Sequence, residues 1–309
     1  MDATRTNNSD RMNRRGFIKR ISIITGAAAF GSAPKKCSAR QDCFDESLAV
    51  LIDTTLCVGC RACELACNEA NPSLPLLPND FFNDNSVFEH RRRMDASAFT
   101  VVNRYKPNNS ATPVYVKFQC MHCLNPACVS ACLVGAMTRD AGGAVVYDEK
   151  KCIGCRYCMA ACPFQVPAYE YASVLTPRVR KCTFCFKTCL TQGEAPACVA
   201  ACPMRVMTFG PRDKLIAVGR ERIRKNPDQY EQHIYGEHEA GGTAWMYLAA
   251  EPFEQIDLPR LGYHPLPGYT EPIQHALFKW FLPPLGLFAA LAGALWYNKR
   301  KTKQSGEGT

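Results

Sequence analysis

The sequence predicts an α+β fold of short strands and helices, with long loop insertions and one long C-terminal helix. Three observations predict it. Cysteine is over-represented, with 19 among 309 residues, and most cysteines fall in four short motifs that repeat in order. Short apolar runs on either side of a glycine-containing turn separate two of these motifs, which indicates a hairpin. Eighteen uncharged residues, 280–297, lie near the end of the chain and have the length of a long helix.

The chain length limits what the cysteines can be doing. A chain of 309 residues with 47% apolar residues can build a packed core without disulfide staples. In a chain that needs no disulfides to be stable, a high cysteine content is more typical of metal binding than of a disulfide scaffold. The sequence therefore favours metal binding.

The net charge of +9 lies at the two ends of the chain. Residues 1–39 carry eight basic and two acidic side chains, and residues 299–309 carry four and one, which leaves the body near neutral. The dense internal run Arg91–Arg93 has no aromatic or repeated basic neighbours, so it is expected to be a solvated loop. These observations argue against nucleic acid as a partner.

The N-terminal residues 1–39 have the pattern of an export address. Arg14 and Arg15 lead into a short, mildly apolar, Ala- and Gly-rich run, with Phe17 and Lys19 in favoured places. This pattern resembles a twin-arginine signal, with cleavage after Ala39 as one outcome. A basic tail before a buried helix is the alternative.

Residues 279–298 are predicted to form a transmembrane helix, followed by a basic cytoplasmic tail over 299–309. Within it, residues 280–297 are uncharged and bounded by aromatic residues, and a basic cluster follows. Positive charge remains on the cytoplasmic side, so the body is expected at the periplasmic face of the cytoplasmic membrane, anchored in the lipid bilayer. A buried core helix is the alternative.

The four cysteine motifs are of two kinds. Motifs I and III share the pattern C-x-G-C-R-x-C, whereas "PACVSACLVGAMT" of motif II aligns with "PACVAACPMRVMT" of motif IV. The chain therefore looks like a duplicated two-motif unit. The motif cysteines are Cys57, Cys60, Cys63 and Cys67 (I), Cys120, Cys123, Cys128 and Cys132 (II), Cys152, Cys155, Cys158 and Cys162 (III), and Cys182, Cys185, Cys198 and Cys202 (IV).

This spacing is typical of 4Fe-4S clusters. In the bacterial two-cluster run, three cysteines at C-x2-C-x2-C bind one cube, and the fourth binds the neighbouring cube. Pro163 and Pro203, which follow the fourth cysteine, predict that a helix begins there. Zinc knuckles would leave ligands of these runs without a role, and disulfides over such short spacings would demand strained loops.

The segments between motifs predict which motifs pair. A hairpin is expected between motifs II and III, whereas Pro163, Pro167 and Pro177 disfavour one between motifs III and IV. Motifs II and III should form one unit and motifs I and IV a second around it. The body, residues 40–215, is thus predicted as two nested ferredoxin-like double-cluster units.

The crossed pattern gives four predicted ligand sets. They would bind four 4Fe-4S clusters, or three 4Fe-4S clusters and one 3Fe-4S cluster. Sixteen thiolates and four oxidised cores would make the near-neutral body roughly −8 when loaded. The sets are Cys57, Cys60, Cys63 and Cys202; Cys182, Cys185, Cys198 and Cys67; Cys120, Cys123, Cys128 and Cys162; and Cys152, Cys155, Cys158 and Cys132.

Three cysteines are expected to be bystanders. Cys189 competes with Cys198 for the third place in motif IV, and Cys198 is favoured because its "PAC" context repeats that of motif II. Cys37 and Cys43 fall in no motif. His122, between two predicted ligands, is expected to be a neighbouring or surface histidine.

The four-motif pattern over residues 50–215 resembles the iron-sulfur electron-transfer subunits of molybdopterin oxidoreductases and related respiratory complexes. The flanking phrases "RRGFIK", "YGEHEAGGTAWMYL" and "IQHALFKWFLPPL" narrow the resemblance to the membrane-anchored iron-sulfur subunits of periplasmic nickel-iron uptake hydrogenases. Residues 216–278 would then be a docking extension.

That resemblance implies a relay rather than a catalyst. It implies nickel-iron hydrogenase catalytic subunits as donor and a polytopic quinone-reactive membrane subunit as acceptor. No catalytic triad, phosphate-binding glycine loop or open metal site stands out in the sequence. Two alternatives remain open: the same relay serving a cytochrome, sulfur-compound or formate enzyme, and a zinc-rich structural adaptor.

Overall fold

The computed structural model describes residues 47–107, 112–173, 177–272 and 282–305, so Arg14, Arg15, Cys37 and Cys43 lie outside the described residues. Short strands and helices alternate through the body, as the α+β prediction expects. The strands are β1 Leu48–Asp53, β2 Val101–Tyr105, β3 Val114–Phe118, β4 Met137–Arg139, β5 Val145–Tyr147, β6 Ala168–Tyr169, β7 Val179–Arg180, β8 Met207–Pro211 and β9 Trp245–Leu248. The α-helices are α1 Ala62–Ala70, α2 Asn79–Asn83, α3 Ala127–Ser130, α4 Tyr157–Ala161, α5 Ala197–Ala200, α6 Arg212–Lys225 and α7 Leu282–Ser305. Single 3-10 turns occupy Thr54–Leu56, Asn85–Glu89, Leu190–Gln192, Glu239–Gly241 and Phe253–Ile256.

A three-stranded sheet in the order β8-β1-β9 forms the centre of the main core. Strand β1 pairs antiparallel with β8 and parallel with β9. Its sequence, LAVLID, is an apolar run of the kind found in strands that are buried on both faces. Trp245 and Met246 of β9 are fully buried. A strand of the segment predicted as a docking extension therefore belongs to the core.

The predicted hairpin between motifs II and III is confirmed. Strands β4 and β5 pair antiparallel, with Met137 opposite Tyr147. A second hairpin, β2–β3, lies in the long insertion between motifs I and II. The segment between motifs III and IV differs from the expectation, because β6 and β7 also pair antiparallel. That pairing covers two residues on each strand, and Pro167 and Pro177, which lack an amide donor, flank it.

Helix packing places the motifs in two pairs. Helix α1 of motif I packs against α5 of motif IV, and α3 of motif II packs against α4 of motif III. The strands agree, since β1 precedes motif I and pairs with β8, which follows motif IV. The unit of motifs II and III thus lies within the chain of the other unit, as the sequence predicts.

Helix α6 covers the central sheet. Its buried residues Leu215, Gly219 and Ile223 recur at helical spacing and face β1 and β8. A Cβ on Gly219 would lie 2.7 Å from Cδ1 of Ile234, so this position requires the close approach that glycine allows. At the start of the helix, the buried Arg212 donates to the carbonyl of Thr243 at 3.0 Å. These contacts hold the segment after residue 215 against the body.

The last described helix, α7, is the segment predicted to span the membrane. Among the described residues, no helix combines the length and apolar content needed to cross a bilayer. The predicted transmembrane helix over 279–298 is therefore not supported, and residues 279–281 lie outside the described residues. The sequence of α7 gives the physical reason: prolines and glycines interrupt its apolar part, and its last eight residues are polar or charged.

Candidate metal centre

The loops of motifs I and III have the same backbone conformation. Gly59 and Gly154 adopt φ values of 73° and 71°, and Arg61 and Arg156 follow at 59° and 60°. Each arginine is the N-cap of the helix that carries the third cysteine of its motif. Gly59 of motif I has two reasons to be glycine: its positive φ, and the ring of Tyr115, which would lie 2.4 Å from a Cβ. The shared sequence pattern thus encodes a shared loop.

Motifs II and IV repeat a different local structure. Pro126 and Pro196 are the N-caps of the four-residue helices α3 and α5. Cys128 and Cys198 are the second residues of those helices, and both side chains are buried. The "PAC" phrase therefore places a cysteine at an equivalent point in both motifs.

The prolines after the fourth cysteines have another role than predicted. Helix α4 ends at Ala161, immediately before Cys162, and helix α5 ends at Ala200, before Cys202. Pro163 and Pro203 follow these helix ends in turns. The prediction that helices begin there is wrong, because a proline cannot continue a helix and here helps to end one.

The described cysteines are free thiols, without a disulfide between them. Four of them line one small cavity, which also has Lys117 in its wall. Burial raises the pKa of Cys57 to about 11. Three of the four come from motif I and the fourth from motif IV. We call them set 1: Cys57, Cys60, Cys63 and Cys202.

The four cysteines of a second group, set 2, are all buried. Burial, and then the nearby charges of Cys182, Cys198 and Cys185, raise the pKa of Cys67 well above its ordinary value. Burial also raises the pKa of Cys182 to about 12. Three members come from motif IV and one from motif I. Set 2 comprises Cys67, Cys182, Cys185 and Cys198.

Set 3 combines motifs II and III. Burial, and then the charges of Cys120, Cys162 and Cys128, raise the pKa of Cys123 well above its ordinary value. For Cys128, burial raises the pKa to about 12, with Cys120 as a further cause. Set 3 comprises Cys120, Cys123, Cys128 and Cys162.

Set 4 is the reciprocal group of the same two motifs. Burial, and then the charges of Cys152, Cys132 and Cys155, raise the pKa of Cys158 to about 11. Three members come from motif III, and the fourth, Cys132, comes from motif II. Set 4 comprises Cys132, Cys152, Cys155 and Cys158. The sixteen motif cysteines thus lie in four crossed groups, and their role as cluster ligands stays a prediction.

The four sets form a row. Cys198 of set 2 contributes to the raised pKa of Cys63 in set 1, after burial. Cys120 of set 3 acts in the same way on Cys182 of set 2, and Cys158 of set 4 acts on Cys128 of set 3. The order is therefore 1, 2, 3 and 4. The two end sets reach the surface, where Cys60 and Cys155 are exposed, and set 2 is buried.

Backbone amides point at several of the sulfurs. Sγ of Cys132 accepts from the amide of Ala136 at 3.1 Å. Sγ of Cys152 accepts from Gly154, and Sγ of Cys182 accepts from Phe184, each at 3.4 Å. Hydrogen bonds to thiolate sulfur favour the anionic form that binds metal, and they raise the potential of an iron-sulfur cluster. These turns are therefore suited to ligation.

Two buried lysines lie beside the cysteines. Lys117 is 4% exposed, and so is Lys181. The ammonium of Lys181 donates to the carbonyls of Val145 and Cys182. Burial opposes the charge of Lys117, yet Cys198 and Cys63 raise its pKa above the ordinary value. Buried cations are costly unless an anion compensates them, so this donor set fits an anionic cofactor.

A buried ion pair fixes the start of helix α1. Arg61 is 1% exposed, and its Nη2 lies 3.0 Å from a carboxylate oxygen of Glu64. Arg61 Nη1 also donates to the carbonyls of Phe81 and Asp84. Arg92 contacts the same carboxylate at 2.5 Å. Because α1 carries Cys63 and Cys67, this network positions members of sets 1 and 2.

The bystander predictions have different outcomes. Cys189 is partly exposed and lies beside Cys185, whereas Cys198 is buried among set 2. His122 is fully buried rather than at the surface, and its Nδ1 accepts from the amide of Val145 at 2.9 Å. Burial, and then the charge of Lys181, lower the pKa of His122 well below its usual value, so the ring is neutral.

Sequence reasoning missed Lys117 and Glu64. Lys117 follows the fully buried Val116 in strand β3, so strict alternation would place its side chain in solvent. Glu64 stands in the first turn of α1, where an acidic residue is ordinary.

In the part of the chain that the structure describes, no three His, Cys, Asp or Glu side chains converge on a single metal ion.

Comparison with known proteins places these features among iron-sulfur proteins. A family model described as a 4Fe-4S dicluster domain matches residues 112–212, and another of the same description matches residues 56–136. A protein of Nitratidesulfovibrio vulgaris strain Hildenborough is 44% identical over 96% of this chain and 80% of its own. The hydrogenase-2 operon protein HybA of Escherichia coli O157:H7 is 35% identical over 94% and 96% of the two chains. The formate dehydrogenase-O iron-sulfur subunit of Escherichia coli K12 is 33% identical over 89% of each.

Proposed function

Because the chain belongs to the 4Fe-4S dicluster family of iron-sulfur electron-transfer subunits, we propose that it relays electrons through four 4Fe-4S clusters, from a periplasmic hydrogenase to a quinone-reducing membrane subunit. The row of four cysteine sets is the observation that carries this proposal. Each set has four thiols, as one cube requires, and each takes its fourth thiol from the partner motif.

The protein part of the relay would bind the clusters and tune their reduction potentials. When bound, the clusters supply one-electron redox chemistry at potentials that depend on burial, net charge and hydrogen bonds to sulfur. The sixteen thiolates would hold the clusters, and the amides of Ala136, Gly154 and Phe184 would stabilise the sulfurs. The buried core around set 2 excludes water from the middle of the row.

The two ends of the row would face the partners. Sets 1 and 4 each have one exposed cysteine, Cys60 and Cys155. Apolar side chains surround these ends: Val58 is exposed beside Cys60, and Ile153 and Tyr157 are exposed on either side of Cys155. An exposed apolar surface of this kind is typical of a protein interface. We therefore propose that donor and acceptor subunits dock at opposite ends of the row.

Hydrogenase is the proposed donor because the HybA relative aligns with this chain over nearly the whole of both lengths. A formate dehydrogenase donor is the second candidate, supported by the 33% identical formate dehydrogenase-O subunit. The partners would be nickel-iron catalytic subunits on one side and a polytopic quinone-reactive subunit on the other. Catalysis at the substrate would belong to the donor's own subunits.

The proposed location is the periplasmic face of the cytoplasmic membrane, in the complex with the quinone-reactive subunit. The twin-arginine pattern at Arg14 and Arg15 supports it, since that route exports folded, cofactor-loaded proteins. Protease treatment of spheroplasts should digest the body of the wild-type protein and leave that of an R14K/R15K variant protected. Protection of both would contradict the location.

The relay is tested by purifying the complex anaerobically from membranes. Iron and acid-labile sulfide are measured, and EPR spectra are recorded before and after hydrogen or formate is added. About sixteen irons per chain, four for each of four cubes, with signals that hydrogen reduces, are expected. Reduction by formate and not by hydrogen would make a formate dehydrogenase, rather than a hydrogenase, the donor. A colourless, zinc-containing protein would refute the relay in favour of a structural adaptor.

A further inference from the structure

Lys117 lies where a cluster in set 1 would feel its charge most strongly. It stands on strand β3 and forms part of the wall of the cavity that Cys57, Cys60, Cys63 and Cys202 line. Its side chain is 4% exposed, so water does not screen the ammonium. Cys198 and Cys182 of set 2 are also among the thiols that act on its charge. The lysine therefore borders set 1, and the charges of set 2 also act on it.

The contacts of Lys117 do not neutralise it. Its Nζ donates to Oε1 of Gln119 at 2.8 Å and lies 4.6 Å from the ring centroid of Trp245. Within the described ranges, no carboxylate lies at ion-pairing distance from it. Arg61 offers the comparison, since it is as buried but is paired with Glu64. An unpaired buried cation is costly, so an anion is expected beside it when the protein is loaded.

The charge of a loaded set supplies that anion. Four thiolates and an oxidised 4Fe-4S core carry about −2 together, and reduction by one electron makes this about −3. A fixed cation attracts the more negative state more strongly, and low local dielectric increases the difference. It therefore stabilises the reduced form of a neighbouring cluster.

We propose that Lys117 is the buried counter-cation of the clusters in sets 1 and 2, and that its charge raises their reduction potentials. This inference rests on the proposed function. Lys117 is a positioning residue for charge and binds no iron itself.

The test is an EPR-monitored redox titration of the purified, loaded complex with Lys117→Met, Lys117→Gln and Lys117→Arg. Signals are assigned to the two ends of the row with Cys60→Ser for set 1 and Cys155→Ser for set 4. Lys151→Met is the matched control, because Lys151 adjoins Cys152 of set 4 but its side chain is 60% exposed. Iron and sulfide are measured for every variant.

The neutral variants should lower the midpoint potentials of sets 1 and 2 and leave set 4 unchanged, whereas Lys117→Arg should retain wild-type values. Lys151→Met should shift no signal measurably, because solvent screens an exposed charge. If both neutral variants fail to load iron and Lys117→Arg loads normally, the requirement for charge is equally supported.

Unchanged potentials in loaded Lys117→Met and Lys117→Gln would overturn the proposal. So would failure of all three variants to load, because the requirement would then be for the shape of lysine. Absence of iron from the wild-type protein would instead refute the proposed function, so the two failures are distinguishable.

Discussion

Removal of the Glu64 carboxylate should destabilise the protein far more than loss of a surface charge. Glu64 is 5% exposed and accepts from Arg61 at 3.0 Å, from Arg92 at 2.5 Å and from the amide of Val102 at 2.6 Å. Glu64→Ala would leave the guanidinium of Arg61, itself 1% exposed, without its counter-ion. Breaking a buried pair in this way costs about 3–5 kcal/mol of the free energy of unfolding.

The assay is the rate at which the anaerobic, loaded complex loses its visible absorbance in a fixed concentration of urea. If the network is broken in the rate-limiting step, the expected cost corresponds to ~10²-fold faster loss or more. Glu221→Ala is the matched control, since Glu221 also pairs with two basic residues but is exposed, so solvent screens these pairs and their loss should change the rate little. Rates for the two variants within about threefold of each other would refute the reasoning.

Three further predictions test the ligand sets and the loops. Cys162→Ser should abolish the signal of set 3 and spare that of set 4, and EPR showing the reverse would contradict the crossed assignment. Cys189→Ser should retain the full iron content, since this cysteine lies outside set 2; a loss of about four irons would make it a ligand. Gly59→Ala should lower the free energy of unfolding more than Gly193→Ala. Both residues have positive φ, but a Cβ on Gly59 would meet the ring of Tyr115, whereas one on Gly193 would have open space. Gly193→Ala should cost about 1–2 kcal/mol in thermal unfolding, and equal losses would show that the ring moves aside.

The cysteine motifs could be predicted from the sequence because their constraints are local. The C-x-G-C-R-x-C spacing specifies a loop with positive φ at Gly59 and Gly154, and the hairpin before Asp148 specifies which motifs are neighbours. The pairing of strands that are distant in sequence has no such local signal. Strand β9 lies about two hundred residues after β1, and nothing in its local pattern indicates a parallel partner.

Side-chain burial was also beyond local reasoning. The position of Lys117 depends on Trp245 and on the motif I loop, which reach it from distant parts of the chain. The predicted transmembrane helix lacks support among the described residues for a related reason. The apolar run 280–297 favoured a membrane span, but the described helix Leu282–Ser305 carries eight polar or charged residues at its end.

The nesting of the two units has a consequence for biosynthesis. Sets 3 and 4 take their cysteines from residues 120–162, whereas sets 1 and 2 need residues from both ends of 57–202. A growing chain therefore exposes a complete inner unit while the N-terminal half of the outer unit still lacks its partner strand β8. Domains that emerge first generally fold first, and contacts distant in sequence form slowly. The inner pair of sites would thus be ready for metal insertion before the outer pair, and the outer shell would close around an inner unit that is already folded.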